Sequence, residues 1–386
     1  MKRFDSIGAA AMGLSVGCVL TAGSAWGVVI NGGDGSGNTT ADTVAFGEAF
    51  DAVTTEGVGN AVYLGNGVAI KPFHTAGGAS GDGEVFGETV VGAQRLFEPD
   101  GSSLTDLEMI RVDVAPNVPA LSIVSVAPSV NDTVRLIGSG ANREATETMW
   151  NITGVGQNAT WTETGVPAIA DAEGFKPVIS SGNTRFGDTR WGTNQVDSFL
   201  DFQSNNAGII DGFRTVFSEN GGANEATAVG QDSGGAVVVF NQGSGEWELA
   251  GLMHAIQVFD GQPDVPFTAV YGQSTLISDL TLYVDQINIF KSDLNLDRTI
   301  NTADLAILAG GFGSAGDFTT GDLNADGTVD TADLAILAGV FGESSPGFVP
   351  VSSVTDGVAV PEPGTAVLLA AGCLAVVGRR RSGRSA

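Results

Sequence analysis

Cysteine is almost missing from this chain. Cys18 and Cys373 are the only two, and each lies in an apolar run close to one end, so no disulfide can staple the residues between them. Histidine is as scarce, with His74 and His254 alone available for imidazole chemistry. Basic residues are few: 17 Lys and Arg face 44 Asp and Glu. Setting aside Lys2, Arg3, Arg379, Arg380, Arg381 and Arg384 leaves 11 basic residues, and setting aside Asp5 and Glu362 leaves 42 acidic ones, so the middle of the chain is near −31. A surface of that sign repels phosphate backbones, which argues against a nucleic-acid partner and for divalent cations. Only 16% of residues are charged, while 42% are hydrophobic and 56 are glycine. Short Val, Thr and Ile runs punctuated by Gly, Asn, Asp and Pro point to an all-β chain of two or three domains.

Both ends read as addresses. Residues 1–27 have a basic start, an apolar run from Ile7 to Ala22 and the small-residue finish Ala25-Trp26-Gly27, the pattern of a signal peptide cut before Val28. Residues 360–386 contain Pro361-Glu362-Pro363, fifteen apolar or small residues from Gly364 to Gly378, and an arginine cluster. Such a stretch is short for a membrane span but flanked by charges that would keep the arginines cytoplasmic. This tripartite tail resembles the PEP-CTERM sorting signal of Gram-negative bacteria. The resemblance implies an exosortase-type processing enzyme as a partner, transient anchoring through a membrane-spanning tail, and delivery to the cell envelope or extracellular matrix.

Residues 291–342 hold two near copies, beginning at Asp293 and Asp322. Oxygen side chains recur at loop positions one, three, five, nine and twelve, the spacing of a calcium loop, with a backbone carbonyl expected at position seven. The first copy offers Asp293, Asn295, Asp297, Thr299, Asn301 and Asp304, and the second Asp322, Asn324, Asp326, Thr328, Asp330 and Asp333. Position six is Gly327 in the second loop but Arg298 in the first, where glycine is usual, so the first loop is expected to be strained or weaker. Each loop runs into Leu-Ala-Ile-Leu. That combination resembles the dockerin repeat, which implies two calcium ions, a small α-helical module and a cohesin-like partner. A short linker, 343–359, separates this module from the tail.

Three segments between 28 and 290 carry the chemistry. Gln231-Asp232-Ser233-Gly234-Gly235 precedes a β run, and Trp247-Glu-Leu-Ala-Gly-Leu-Met follows. Two hydrophobic strands joined by Gly65-Asn66-Gly67 lead to His74, and Asp106 opens the strand Leu107–Val112. In this order and context the residues resemble the trypsin/chymotrypsin family. The resemblance implies two six-stranded antiparallel barrels, a serine endopeptidase acting on a protein or peptide substrate, and His74, Asp106 and Ser233 as its triad, with no cofactor in the reaction. It also implies amides of Gln231 and Ser233 as the oxyanion hole, and Thr227 with His254 at the specificity pocket, where His254 would contact either substrate or the triad acid. Thr227 in place of an acid disfavours Arg or Lys beside the scissile bond.

His254 is the rival base. It follows Ser233 by 21 residues, too few for the acid strand and helices of an α/β-hydrolase, and Gln231 breaks the Gly-x-Ser-x-Gly elbow of that fold. Two departures from the family pattern stand out: Gln231 replaces a glycine, and Lys71-Pro72-Phe73 precedes His74. Losing one oxyanion donor costs about 2.7–4 kcal/mol, so a catalytically inactive, protease-like binding protein of the surface or matrix is the alternative.

Overall fold

The structure, a computed structural model, describes residues 28–56, 59–75, 83–178, 188–204, 208–295, 297–316, 318–324, 326–344 and 349–350. The expected signal peptide and sorting tail, and most of the linker, lie outside the described residues.

Gly65, Asn66 and Gly67 all take positive φ, which lets the chain reverse tightly between two strands. The first sheet grows around that hairpin: β1 (Val53–Glu56), β2 (Gly59–Gly65), β3 (Val68–Pro72), β4 (Glu88–Phe97) and β5 (Leu104–Val112) run antiparallel in the order β1-β2-β3-β5-β4. Six further strands close a barrel: β6 (Thr133–Gly138), β7 (Arg190–Ser204), β8 (Gly208–Val216), β9 (Ala236–Asn241), β10 (Glu246–Gln257) and β11 (Ser274–Asp279), ordered β7-β8-β11-β10-β9-β6.

The described residues are thus mostly β, with one six-stranded barrel where two were expected. Among the described residues the first sheet stays open. Strand β1 has four residues and pairs only β2, while the far edge at β4 is taken by Glu84–Val85 and Val349–Pro350, so the two edges do not meet. Residues between β6 and β7, where sequence patterning is weakest, add a separate sheet of Thr148–Thr153, Thr160–Thr164 and Ala172–Phe175 with Ala269–Val270.

One core joins sheet and barrel. Val62, Ile70, Leu107 and Met109 from the sheet pack with Ile137, Ala236, Val238 and Leu252 from the barrel, all buried. Burying each larger side chain contributes about 1.5–3 kcal/mol.

Among the described residues there are four α-helices: α1 (Val44–Asp51), α2 (Val284–Ser292), α3 (Thr302–Gly311) and α4 (Thr331–Gly339). Helix α2 runs across the expected boundary at 290/291. Its Ile287 and Phe290 belong to the main core, Arg111 of β5 donates to the Phe290 carbonyl, and Lys291 Nζ donates to the Leu64 carbonyl at 3.1 Å. Helices α3 and α4 begin alike: Asn301 and Asp330 cap them, each closing a capping box with Asp304 or Asp333. Leu294, Ile300, Leu308, Leu323, Val329 and Leu337 form a small core between the repeats. Among the described residues no helix is long and apolar enough to cross a membrane.

Candidate active site

The register between β3 and β5 sets Pro72 opposite Leu107 and Lys71 opposite Glu108. Beyond Pro72 the chain makes one 3-10 turn, Phe73–Thr75, closed by Thr75 Oγ1 donating to the Pro72 carbonyl at 2.7 Å. The turn sets His74 against Asp106. The His74 amide donates to Asp106 Oδ1 at 2.9 Å, and its ring Nδ1 lies 2.6 Å from Oδ2. Lys71-Pro72-Phe73 therefore delivers the imidazole to the carboxylate, and Arg95 stacks on the Phe73 ring at 4.2 Å.

Asp106 is fully buried while the His74 side chain is 26% exposed. Burial works against the Asp106 carboxylate, but hydrogen bonds from His254 and His74 outweigh it and hold the group far below the usual range. The second imidazole comes from β10. Its ladder with β11 slips between Met253 and Ala255, a bulge that re-aims His254 into the interior. His254 Nε2 lies 2.9 Å from Asp106 Oδ2, its side chain is fully buried, and its ring centroid is 5.2 Å from that of His74. Burial pushes its pKa down against the pull of Asp106.

Ser233 stands in a turn that only glycine can finish. Gly234 has φ 86°, and a Cβ there would come within 1.9 Å of the Asn60 carbonyl. Asn60, at the start of β2, clamps this turn: its amide donates to the Ser233 carbonyl at 2.8 Å and its Nδ2 to the Gln231 carbonyl at 3.3 Å. Nothing local in the sequence marks Asn60 for this role, since its contact spans 173 positions. The amides of Asp232, Gly234 and Gly235 are spent on Val229, Met253 and Asp232 carbonyls. Those of Gln231 and Ser233 have no acceptor among the described residues. Gln231 itself sits at φ 86°, where a Cβ costs roughly 1–2 kcal/mol, so the glycine preference of this position is real and unmet. Ser233 Oγ donates to the His254 carbonyl at 3.3 Å rather than to His74.

Thr227 is fully buried, and its hydroxyl lies among Thr275 Oγ1 at 3.2 Å, Gln273 Nε2 at 3.3 Å and the Ala228 carbonyl at 3.4 Å. Its side chain is thus engaged internally. Asp232 is buried with Oδ2 accepting the Val229 amide at 2.9 Å, and burial pushes its pKa well up.

Glu108, two residues beyond Asp106 on β5, is another buried carboxyl that sequence patterning did not single out. Burial raises it to about 7, against the pull of Lys71 and Arg95. Its folded value exceeds its unfolded one, so the protonated acid stabilises the fold fully below about pH 4.5, and this contribution is lost as pH rises through about 7. Glu108→Gln is expected to flatten the fall in stability between pH 5 and pH 8, by up to about 3 kcal/mol. Denaturant midpoints of both proteins at the two pH values check this, and parallel curves would refute it.

The two repeats fold as matched oxygen-lined loops. Asp304 Oδ1 accepts the amides of Leu294 and Asn295 at 2.9 and 3.2 Å, and Asp333 Oδ1 those of Leu323 and Asn324 at 2.7 and 3.0 Å. Asn295 and Asn324 donate to Asp297 and Asp326, whose carboxylates accept the amides of Thr299 and Thr328. Arg298 at φ 76° and Gly327 at φ 84° make the same left-handed turn, with the Cβ penalty falling on the first loop. All-oxygen donors of this density fit a hard divalent cation.

Neither a protein-family model nor a curated protein matches the sequence. Among solved structures, the chain is similar to the murine norovirus NS6 protease in an inactive variant, at 12% identity and a TM-score of 0.34, over 60% of this chain and 93% of that one. The NS6 protease from murine norovirus 1 aligns at 11% identity and a TM-score of 0.33, over 62% of this chain and 93% of the other. A type II cohesin–dockerin domain from Bacteroides cellolosolvens matches at 46% identity and a TM-score of 0.14, over 15% of this chain and 92% of that chain.

Proposed function

We propose that this protein is a serine endopeptidase with an appended calcium-binding module. The observation that carries the reading is a histidine–aspartate pair at 2.6 Å joined through His254, whose ring meets Asp106 and whose carbonyl meets Ser233 Oγ, to a serine in a glycine turn whose own amide, and that of Gln231, have no acceptor among the described residues. With His74 Nδ1 held by Asp106, Nε2 is the nitrogen left to take a proton. Ser233 Oγ rotates from the His254 carbonyl, attacks the scissile carbonyl and passes its proton to His74 Nε2. Asp106 fixes the imidazole tautomer and stabilises the imidazolium, while the amides of Gln231 and Ser233 serve the developing oxyanion. His74 then protonates the leaving amine, and water releases the acyl group from Ser233.

Asp293, Asn295, Asp297, Asn301 and Asp304, with the Thr299 carbonyl, would hold one calcium ion. Asp322, Asn324, Asp326, Asp330 and Asp333, with the Thr328 carbonyl, would hold the other. Calcium supplies charge neutralisation that orders the loops and plays no part in hydrolysis. Export to the envelope or matrix, exosortase-type processing and a cohesin-like partner complete the proposal on the strength of the sequence motifs alone.

The test is labelling with a fluorophosphonate probe. A covalent adduct that maps to Ser233 supports the reading, and an intact, folded protein that takes up no probe favours a protease-like binding protein.

A further inference from the structure

Two hairpins meet beside the candidate site, and both present acids. Residues 98–103 join β4 to β5, and Asp106 lies two residues beyond the Phe97–Leu104 pair that closes this turn. The other hairpin is β7 with β8, from which Phe202 covers the His254 ring with centroids 5.6 Å apart. Glu98 ties the two together. Its Oε1 accepts the Ile209 amide of β8 at 3.0 Å and Ser103 Oγ at 2.7 Å, and its Oε2 accepts Ser102 Oγ at 3.0 Å. Next to Phe202, Asp201 stands directly opposite Asp211 in the β7–β8 ladder, a pairing of like charges that weakens a sheet. Burial first, and then the Asp201 carboxyl, push the Asp211 carboxyl up, and Glu98 and Asp100 add to the same field. Among the described residues none of these four acids forms a salt bridge.

A second feature points into the same place. Tyr283 is fully buried, yet its hydroxyl has no hydrogen-bond partner among the described residues. Burial raises its pKa, and the charges of Asp211 and Glu98 come next, so the hydroxyl faces the acids from beneath. An acid recess over an unpartnered hydroxyl suits a cation. Among the described residues only His74, Asp106 and His254 converge closely enough to share one metal ion, so the recess is too wide for that. A guanidinium, whose five donors spread over a planar fork, fits the wider spacing.

We propose that Glu98, Asp201 and Asp211 form a subsite for an arginine side chain of the peptide substrate, several residues from the scissile bond. The inference rests on the serine-endopeptidase reading given above. Ring centroids step 5.6 Å from Phe202 to His254 and 5.2 Å on to His74. An extended peptide advances about 3.3–3.6 Å per residue, so an arginine roughly two to five places from the scissile bond comes within reach of Asp201. The subsite is separate from the pocket beside the bond, where Thr227 offers no charge. The net charge of −27 draws cationic peptides toward the protein before they dock.

Digestion of a mixed peptide library by the full chain, with the products sequenced by mass spectrometry, reads the preference on both sides of the bond at once. Arginine is expected to be enriched about tenfold at one position in that range, the effect of a charge-assisted bidentate contact. Asp201→Asn with Asp211→Asn keeps the shape of the pair and removes its charge, and should bring the enrichment to within about twofold of none. Asp201→Asn alone, at an exposed position, should lower it by a smaller factor and serves if the double variant does not fold. Enrichment is a ratio within one digest, so it does not depend on how much enzyme is active. Fluorophosphonate labelling of Ser233 run alongside separates the two ideas. If Ser233 labels and the library is cut without arginine preference, or with a preference that the variants retain, the subsite is wrong and the nucleophile stands. If Ser233 takes no probe and nothing is cut, the endopeptidase reading falls and the subsite falls with it.

Discussion

Ser233→Ala and His74→Ala are each expected to lower ester or peptide hydrolysis by about 10⁶-fold, with the double variant little worse than either alone. In the proposed mechanism the serine oxygen and the imidazole act in one step, so removing either removes that step. Asp106→Asn should cost about 10⁴-fold, since an amide in the same space cannot fix the imidazole in the productive tautomer. The fold should survive these changes at Ser233 and His74. Ser233 Oγ makes a single 3.3 Å hydrogen bond, and the His74 side chain is partly exposed. Circular dichroism and steady-state kinetics on the four variants check this together. Independent, multiplicative losses would mean that Ser233 and His74 do not work as a unit.

Removing calcium should change the molecule more widely than a detachable appendage would. Each loop collects carboxylates that repel one another without a cation, three in the first loop and four in the second. The core between the repeats is small and offers little to hold α3 and α4 in chelator. Helix α2 carries the effect onward. It ends at Ser292, next to the first loop's Asp293, while its Phe290 carbonyl holds Arg111 on the strand that bears Asp106. At a hundredfold excess over Kd each site contributes about 2.7 kcal/mol. At about 2–4 °C per kcal/mol, Tm is expected to rise by roughly 5–10 °C per occupied site. The second loop should bind more tightly, because Gly327 takes freely the turn that strains Arg298. Calorimetric titration of the full chain, with thermal melts in calcium and in chelator, measures both effects. Equal melting in the two conditions, with no heat of binding, would remove the calcium sites from the account.

The parts of this molecule that were legible in its sequence are those fixed locally. The Gly65-Asn66-Gly67 reversal, the glycines after Ser233 and the twice-written oxygen spacing at 293–304 and 322–333 each declare a backbone shape within a dozen residues. Ser233 and His74 stand out as candidates because each adjoins such a segment. What could not be read depends on contacts across the chain. Asn60 grips the Ser233 turn from a strand 173 positions earlier, and the bulge that settles His254 on Asp106 is a slip in its ladder with another strand. Glu108 reads as an ordinary strand carboxylate until the fold buries it beside Lys71. The open first sheet was hidden for the same reason. Its edges are decided by short strands, Glu84–Val85 and Val349–Pro350, that periodicity cannot reveal.

The central claim is that Ser233 is an activated nucleophile, and mass-spectrometric mapping after fluorophosphonate treatment tests it most directly. The account predicts one adduct, on the peptide containing Ser233, that disappears in His74→Ala as fully as in Ser233→Ala. An adduct on another serine, or Ser233 labelling undiminished by loss of His74, would contradict it.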